Sequence, residues 1–307
     1  MKATNLASSK RFTIKIFGRD WEIGFKKFNC REFLEPSEKY RISGRDRADH
    51  MLVFPLSPED VGVVCSVKAF EELAMTFDNS RLMIELPGST ETMLVSDLQA
   101  NALAEETDPD LGQYHSYHIY AMRNFGLSYS KLLVNHKAKL AVRFKAAFTG
   151  CSKLEPVSAF SPQMEAGSET IQALKALATE GHVYSEYLLG VLMAGKPGDE
   201  GRLCVERLIN AHEMKQPESL AVLSEYLWTH GELTAAVQTA LLSIAGGCKR
   251  VVKLLQRAGD TLDHGQLTNL HNDLERSGLG KLMVSRSMRS AGEAVGPQWA
   301  SLINPPN

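Results

Sequence analysis

Paired cysteines, long apolar runs and an excess of one charge are all missing from this 307-residue chain, and each absence removes a class of protein. The five cysteines (Cys30, Cys65, Cys151, Cys204 and Cys248) are odd in number and widely spaced, with no Cys-x-x-Cys pair. That pattern argues against a disulfide framework or a zinc ribbon and for buried thiols in a reducing compartment. No apolar run approaches the ~20 residues needed to span a bilayer. Residues 1–17 lack the apolar core of a secretory signal, so a cytoplasmic protein without a membrane span is expected, with signal-independent export left open. The net charge of −2 excludes a globally basic nucleic-acid binder.

Catalytic signatures are equally scarce. There is no Gly-x-Ser-x-Gly elbow. Ser277-Gly-Leu-Gly-Lys281 lacks the first glycine of a phosphate loop and has Leu282 where a hydroxyl residue is required. His115 and His118 are spaced i, i+3, but two ligands do not make a metal site and no His-Glu-x-x-His accompanies them. The expectation is therefore no catalytic residue, no metal and no cofactor.

What the chain does have is a 44% apolar composition, enough for a real core, and an uneven charge pattern. Residues 1–50 carry net +5, 51–110 net −10, 111–150 net +6, and the rest net −3. Acidic and basic blocks facing each other within one folded unit is the favoured reading, since opposite fields neutralise.

The first half reads as mixed α and β. Phe12, Ile14 and Ile16 alternate with polar residues, as do Trp21, Ile23 and Phe25, and a turn at Gly18–Asp20 makes them a hairpin. Residues 51–54, 62–67, 81–86 and 92–95 read as further strands, residues 69–75 as a helix, and the acidic stretch 101–112 as a loop. From Tyr114 the period becomes helical: Ile119, Met122, Phe125, Tyr129, Leu133, Leu140 and Phe144 form the expected buried stripe, interrupted at Gly126 and stopped at Gly150. Residues 151–167, with Pro156 and Pro162, read as a linker.

After this linker a helix opens at Ser168, its expected N-cap, and a 34-residue rhythm appears. Gly181, Tyr187, Leu189, Gly190 and Gly195 frame one apolar helix, and residues 204–211 supply a partner helix. A second copy follows over residues 217–228 and 235–245, and a third first-helix begins near Lys249. Leu189 aligns with Leu223, 34 residues on, and Val205 with Val237, 32 on. This pattern resembles the Sel1-like repeat, a tetratricopeptide-like helical hairpin, over about residues 168–260. Ser185 and Cys204 stand where the family has Ala, and the close-contact Gly190 becomes Ser224 and Gln256 in later copies. Such hairpins bury their apolar faces only by stacking, and the stack presents a partner-binding surface.

The resulting expectation is an α+β domain over 1–150, the 151–167 linker, an α-helical repeat domain over 168–284, and a flexible tail over 285–307. The resemblance implies a non-catalytic protein-interaction adaptor or scaffold that holds another protein, with Tyr184, Glu186, Trp228 and His230 as candidate anchors; Tyr184 and Trp228 read equally well as core. A first alternative is a nucleic-acid-associated regulator that binds anions through Arg123, Lys137, Lys139 and Arg143 on the basic helical stretch 123–145. A second alternative is a metal-dependent or hydrolytic enzyme in the first half.

Overall fold

The computed structural model describes residues 10–26, 35–36, 50–53, 63–66, 74–88, 91–106, 112–149, 151–153, 164–216, 218–248, 251–277 and 279. The described chain is mostly helical, with small sheets. The strands are β1 (Arg11–Ile16), β2 (Arg19–Gly24), β3 (Glu35–Pro36), β4 (His50–Val53), β5 (Val63–Ser66), β6 (Met83–Glu85), β7 (Thr92–Leu94), β8 (Cys151–Lys153) and β9 (Met164–Ala166). The helices are α1 (Val95–Ala104), α2 (Gln113–Phe125), α3 (Tyr129–Thr149), α4 (Ser168–Thr179), α5 (Val183–Ala194), α6 (Gly198–Glu213), α7 (Ser219–Thr229), α8 (Leu233–Gly246), α9 (Val252–Thr261) and α10 (His264–Arg276). Strands pair as β1–β2, β3–β5–β4, β6–β7 and β8–β9. Among the described residues no helix is long and apolar enough to cross a membrane.

Two compact units form, and neither is contiguous in sequence: one combines 1–65, 154–164 and 190–307, the other 66–153 and 165–189. This grouping differs from the expected division at 151–167, because strands near the start of the chain pack against helices near its end. The expected helix over 69–75, the stop at Gly150 and the tail 285–307 lie wholly or mostly outside the described residues.

In the first unit, period-two patterning makes β1 a half-buried strand. Phe12, Ile14 and Ile16 are buried against the helices while Thr13 and Lys15 face outward. The antiparallel register pairs Ile16 with Arg19, so the turn is Phe17–Gly18 rather than the expected Gly18–Asp20. Both turn residues have positive φ, 49° and 78°, the signature of a type I′ hairpin. A phenylalanine in this left-handed region is strained, and its ring is held by neighbours: Arg202 lies 4.9 Å over it, and the Tyr226 and His230 rings meet it edge-on at 6.2 and 6.4 Å.

The hairpin packs on α6 and α8. Helix α8 is buried on every side from Ala235 to Gly246 because it touches β1, α7, α9 and α10. Between α7 and α8, Ser224 Oγ donates to Thr239 Oγ1 at 3.0 Å, and the Thr239 hydroxyl donates to the Ala235 carbonyl at 2.8 Å. Gly190 of α5 lies so close to α6 that a Cβ there would sit 2.7 Å from the Leu208 side chain.

Helix ends follow one rule. After α4, α6, α7 and α8 the chain turns through a left-handed residue (Gly181, Lys215, Gly231, Gly247), and the next N–H returns to the carbonyl five residues back. These are Schellman ends, which glycine adopts without a Cβ penalty and which Lys215 adopts at a cost.

In the second unit, β6–β7 and α1–α4 surround Leu82, Ile84, Val95, Leu98, Leu140, Phe144 and Leu174. Helix α1 runs through residues 101–104, where a loop was expected. The α2 face also differs from the expected stripe: Ile119 and Met122 are 42% and 47% exposed, whereas Ser116 and Ala121 are buried. Small residues set the close approach, and the tyrosines supply the ring contacts, with Tyr114 and Tyr117 packing on Tyr129 at 5.9 and 5.3 Å. Gly126 ends α2 in the left-handed conformation, as its position in the pattern predicts. Gly167, rather than Ser168, occupies the N-cap of α4.

Candidate functional site

The four candidate anchors meet different fates. Tyr184 and Glu186 are only 2% and 1% exposed, so they are interior residues and not surface anchors. The Tyr184 ring stacks on Tyr187 at 5.4 Å and meets Phe144 edge-on at 5.8 Å. The reason is that α5 is buried around almost its whole circumference, its polar Ser185 and Glu186 included, which a motif match does not distinguish from a surface face. His182 heads this helix: its Nδ1 accepts the Ser185 N–H at 3.1 Å, the geometry of an N-cap. The His182 ring packs between Phe77 and Phe144 at 4.9 and 4.3 Å. Trp228 is half-buried and His230 exposed. His230 Nδ1 donates to the Tyr226 carbonyl at 2.8 Å.

Three of the four candidate anion-binding cations are held by carboxylates. Lys139 pairs with Glu85 at 2.7 Å, Arg143 with Glu180 at 2.8 Å, and Arg123 with Glu105 at 3.8 Å. Lys139 holds the Glu85 carboxyl below the usual carboxylate range, first through its hydrogen bond and then through its charge. Lys137 is half-buried over the Phe77 ring at 5.9 Å, and burial lowers its pKa. Two of these pairs, Lys139–Glu85 and Arg123–Glu105, join the basic block of the sequence to the acidic one.

His115 and His118 are both exposed on α2, and among the described residues no three His, Cys, Asp or Glu side chains converge as metal ligands. Cys204 is fully buried beside Tyr226; burial pushes its thiol pKa up, and burial pushes the Tyr226 hydroxyl up to about 12. Both side chains stay protonated and inert at neutral pH. Iodoacetamide is therefore expected to spare Cys204 and Cys248 in the folded protein and to label both after denaturation, as read by peptide mapping.

A concave feature among the described residues of the first unit was not foreseen. It is an open cleft of ≈ 790 Å³ bounded by three elements: the hairpin (Thr13, Lys15, Gly18, Asp20), the start of α8 (residues 231–235, with Gln238) and the end of α10 (Asp273, Arg276, Ser277). The charges on its walls are mixed, and Arg276 lies 3.5 Å from Asp273. The first turn of α8 carries no side-chain cap, and its first intrahelical bond runs from the Ala236 N–H to the Glu232 carbonyl at 2.9 Å. The backbone donors of Leu233, Thr234 and Ala235 therefore have no partner within the helix. Gln238, 5% exposed, lines the cleft without a hydrogen bond among the described residues. One signal pointed to it: a lone amide within the apolar run 235–245.

Comparison with family models, with curated proteins and with solved structures finds no match to this chain.

Proposed function

We propose that the protein is a non-catalytic interaction adaptor in which a short Sel1-like, tetratricopeptide-like helical array holds a partner protein. The observation that carries this reading is the spacing of the Schellman ends that follow α4, α6 and α8. Gly181, Lys215 and Gly247 are 34 and 32 residues apart, the same offsets that relate Leu189 to Leu223 and Val205 to Val237. Close packing supports it further. Gly190 meets Leu208 in the first helix pair, and 34 residues on Ser224 meets Thr239 in the second. In this reading the α+β first half is an accessory to the array. A solvent-facing Trp228–His230 edge supplies the anchors that remain, aromatics being frequent energetic centres of interfaces.

Affinity capture with the full chain tests this. The wild type is expected to retain a host protein, and Trp228→Ala/His230→Ala, with a matched melting temperature, to retain at least about tenfold less, the loss of one hot spot. Capture of nothing, or equal capture by both, overturns the reading.

A further inference from the structure

Among the described residues, the two edges of the hairpin differ in how many of their outward backbone groups have partners. A two-residue loop closing on Ile16 and Arg19 fixes which residues exchange backbone hydrogen bonds: Ile16 with Arg19, Ile14 with Trp21, Phe12 with Ile23. The bond from the Phe25 N–H to the Lys10 carbonyl at 2.7 Å continues the alternation. The intervening residues therefore point their N–H and C=O groups away from the partner strand.

On β2 the outward groups of Gly24 and the Glu22 carbonyl have partners. The Gly24 N–H donates to Glu213 at 2.7 Å, His212 Nε2 donates to the Gly24 carbonyl at 2.8 Å, and Arg11 donates to the Glu22 carbonyl at 3.0 Å. On β1 they belong to Arg11, Thr13 and Lys15 and have no partner among the described residues. Thr13 and Lys15 are also the two β1 residues that line the cleft. Facing them are the uncapped first turn of α8 and the side chain of Gln238, a residue 5% exposed and without a hydrogen bond among the described residues.

We propose that this cleft receives an extended segment of a partner polypeptide, which joins the free edge of β1 as a third strand and is read through its backbone. Every unsatisfied group there suits a peptide backbone: alternating donors and acceptors along β1, three helix-end donors, and an amide that both donates and accepts. The wall charges, two cations and three carboxylates, select no strongly charged occupant. The volume holds a single strand, whereas a second copy would bring its own hairpin and flanking helices to the same edge. This inference rests on the hairpin edge and not on the helical array, so it stands apart from the adaptor reading.

The test uses the full chain and a library of random hexapeptides blocked at both ends. Selected peptides are expected to slow amide exchange at Thr13 and Lys15 by about tenfold or more while leaving the already bonded amides of Phe12, Ile14 and Ile16 unchanged. N-methylation of alternate peptide residues is expected to weaken binding by at least about tenfold, with the intervening residues tolerant. Binding is expected to change little with salt. Lys15→Pro, which removes an outward donor and no hairpin bond, and Gln238→Leu are expected to weaken binding by a similar factor. If Lys15→Pro fails to fold, the N-methyl series on the wild type still decides. No selected peptide, protection of other amides, N-methyl sensitivity without period two, or a dimer that protects Thr13 and Lys15 without peptide would each overturn the proposal.

Discussion

Gly201→Ala is expected to lower the thermal midpoint by about 6–12 °C, corresponding to roughly 3 kcal/mol. In an ordinary helix interior this substitution stabilises by up to about 1 kcal/mol, because glycine is the more costly residue there. Gly201 lies in the first turn of α6, and a Cβ built on it overlaps the Lys196 carbonyl oxygen and comes within 3.3 Å of the Tyr226 hydroxyl. The obstacle is backbone, which cannot rotate aside, and it sits in the turn that joins α5 to α6. Relief requires the two helices to separate, with Cys204 and Tyr226 losing their packing. Gly190→Ala offers a graded comparison: its Cβ meets the Leu208 side chain at 2.7 Å, and a side chain moves more cheaply than a carbonyl. The double variant Gly190→Ala/Leu208→Ala is expected to lose less than the sum of the single losses, since the added methyl partly refills the vacated space. Gly265→Ala on exposed α10, where the nearest neighbour is the end of the Asp263 side chain at 3.3 Å, is expected to leave the midpoint unchanged or raised. Differential scanning calorimetry on these variants, with Leu208→Ala alone to complete the cycle, checks the order; a stable Gly201→Ala removes the close-approach account of α6.

Local periodicity explains which parts of this fold could be read from residues alone. Phe12, Ile14 and Ile16 announce β1 because a strand alternates its faces, and residues from 113 onward announce helices because their apolar positions recur at three and four. The same logic misassigned the buried face of α2. It weighs apolar bulk, whereas the close contact there is made by Ser116 and Ala121, leaving Ile119 and Met122 outside. It also placed the hairpin turn one residue late, since nothing about Phe17 signals a positive φ that only its contacts with Arg202, Tyr226 and His230 sustain. Partition into units was illegible for a different reason. Pro156, Pro162 and a run of small polar residues mark a connection in the chain, but which segments pack together depends on pairings between residues nearly 200 positions apart, such as Gly24 with Glu213. The cleft shares that origin: β1, α8 and α10 contribute to it from three distant stretches, and the lone amide Gln238 in the run 235–245 is a signal that the periodicity reading passed over.

That distant pairing is where the second large effect is expected. Glu213 is the last residue of α6, where the helix dipole disfavours a carboxylate. Burial also raises its pKa, yet the net shift is downward, because the Gly24 N–H, Lys26 at 3.1 Å and Arg11 at 3.5 Å all stabilise the charged form. Glu213→Ala leaves the buried Gly24 N–H without an acceptor and Lys26 without its counter-ion, a loss of about 2–3 kcal/mol and enough to release β2 from α6. Glu213→Gln keeps an acceptor and is expected to lose about half as much. The pH dependence separates charge from shape. A carboxyl held below its ordinary value contributes stability that is complete above pH ~4.5 and is lost as pH falls through the folded-state value. Neighbouring His212 is held neutral, chiefly by burial, against the raising effect of its bond to Gly24. Its pKa is therefore also lowered, so its contribution is complete above pH ~6.5 and declines below it. Wild-type melting temperature is thus expected to fall in two stages on acidification, below pH ~6.5 from His212 and below pH ~4.5 from Glu213. Glu213→Gln should flatten the lower stage and keep the upper, while His212→Gln should do the reverse. A lower stage that persists in Glu213→Gln would mean that another carboxylate, and not this link between the hairpin and α6, governs acid unfolding of the unit.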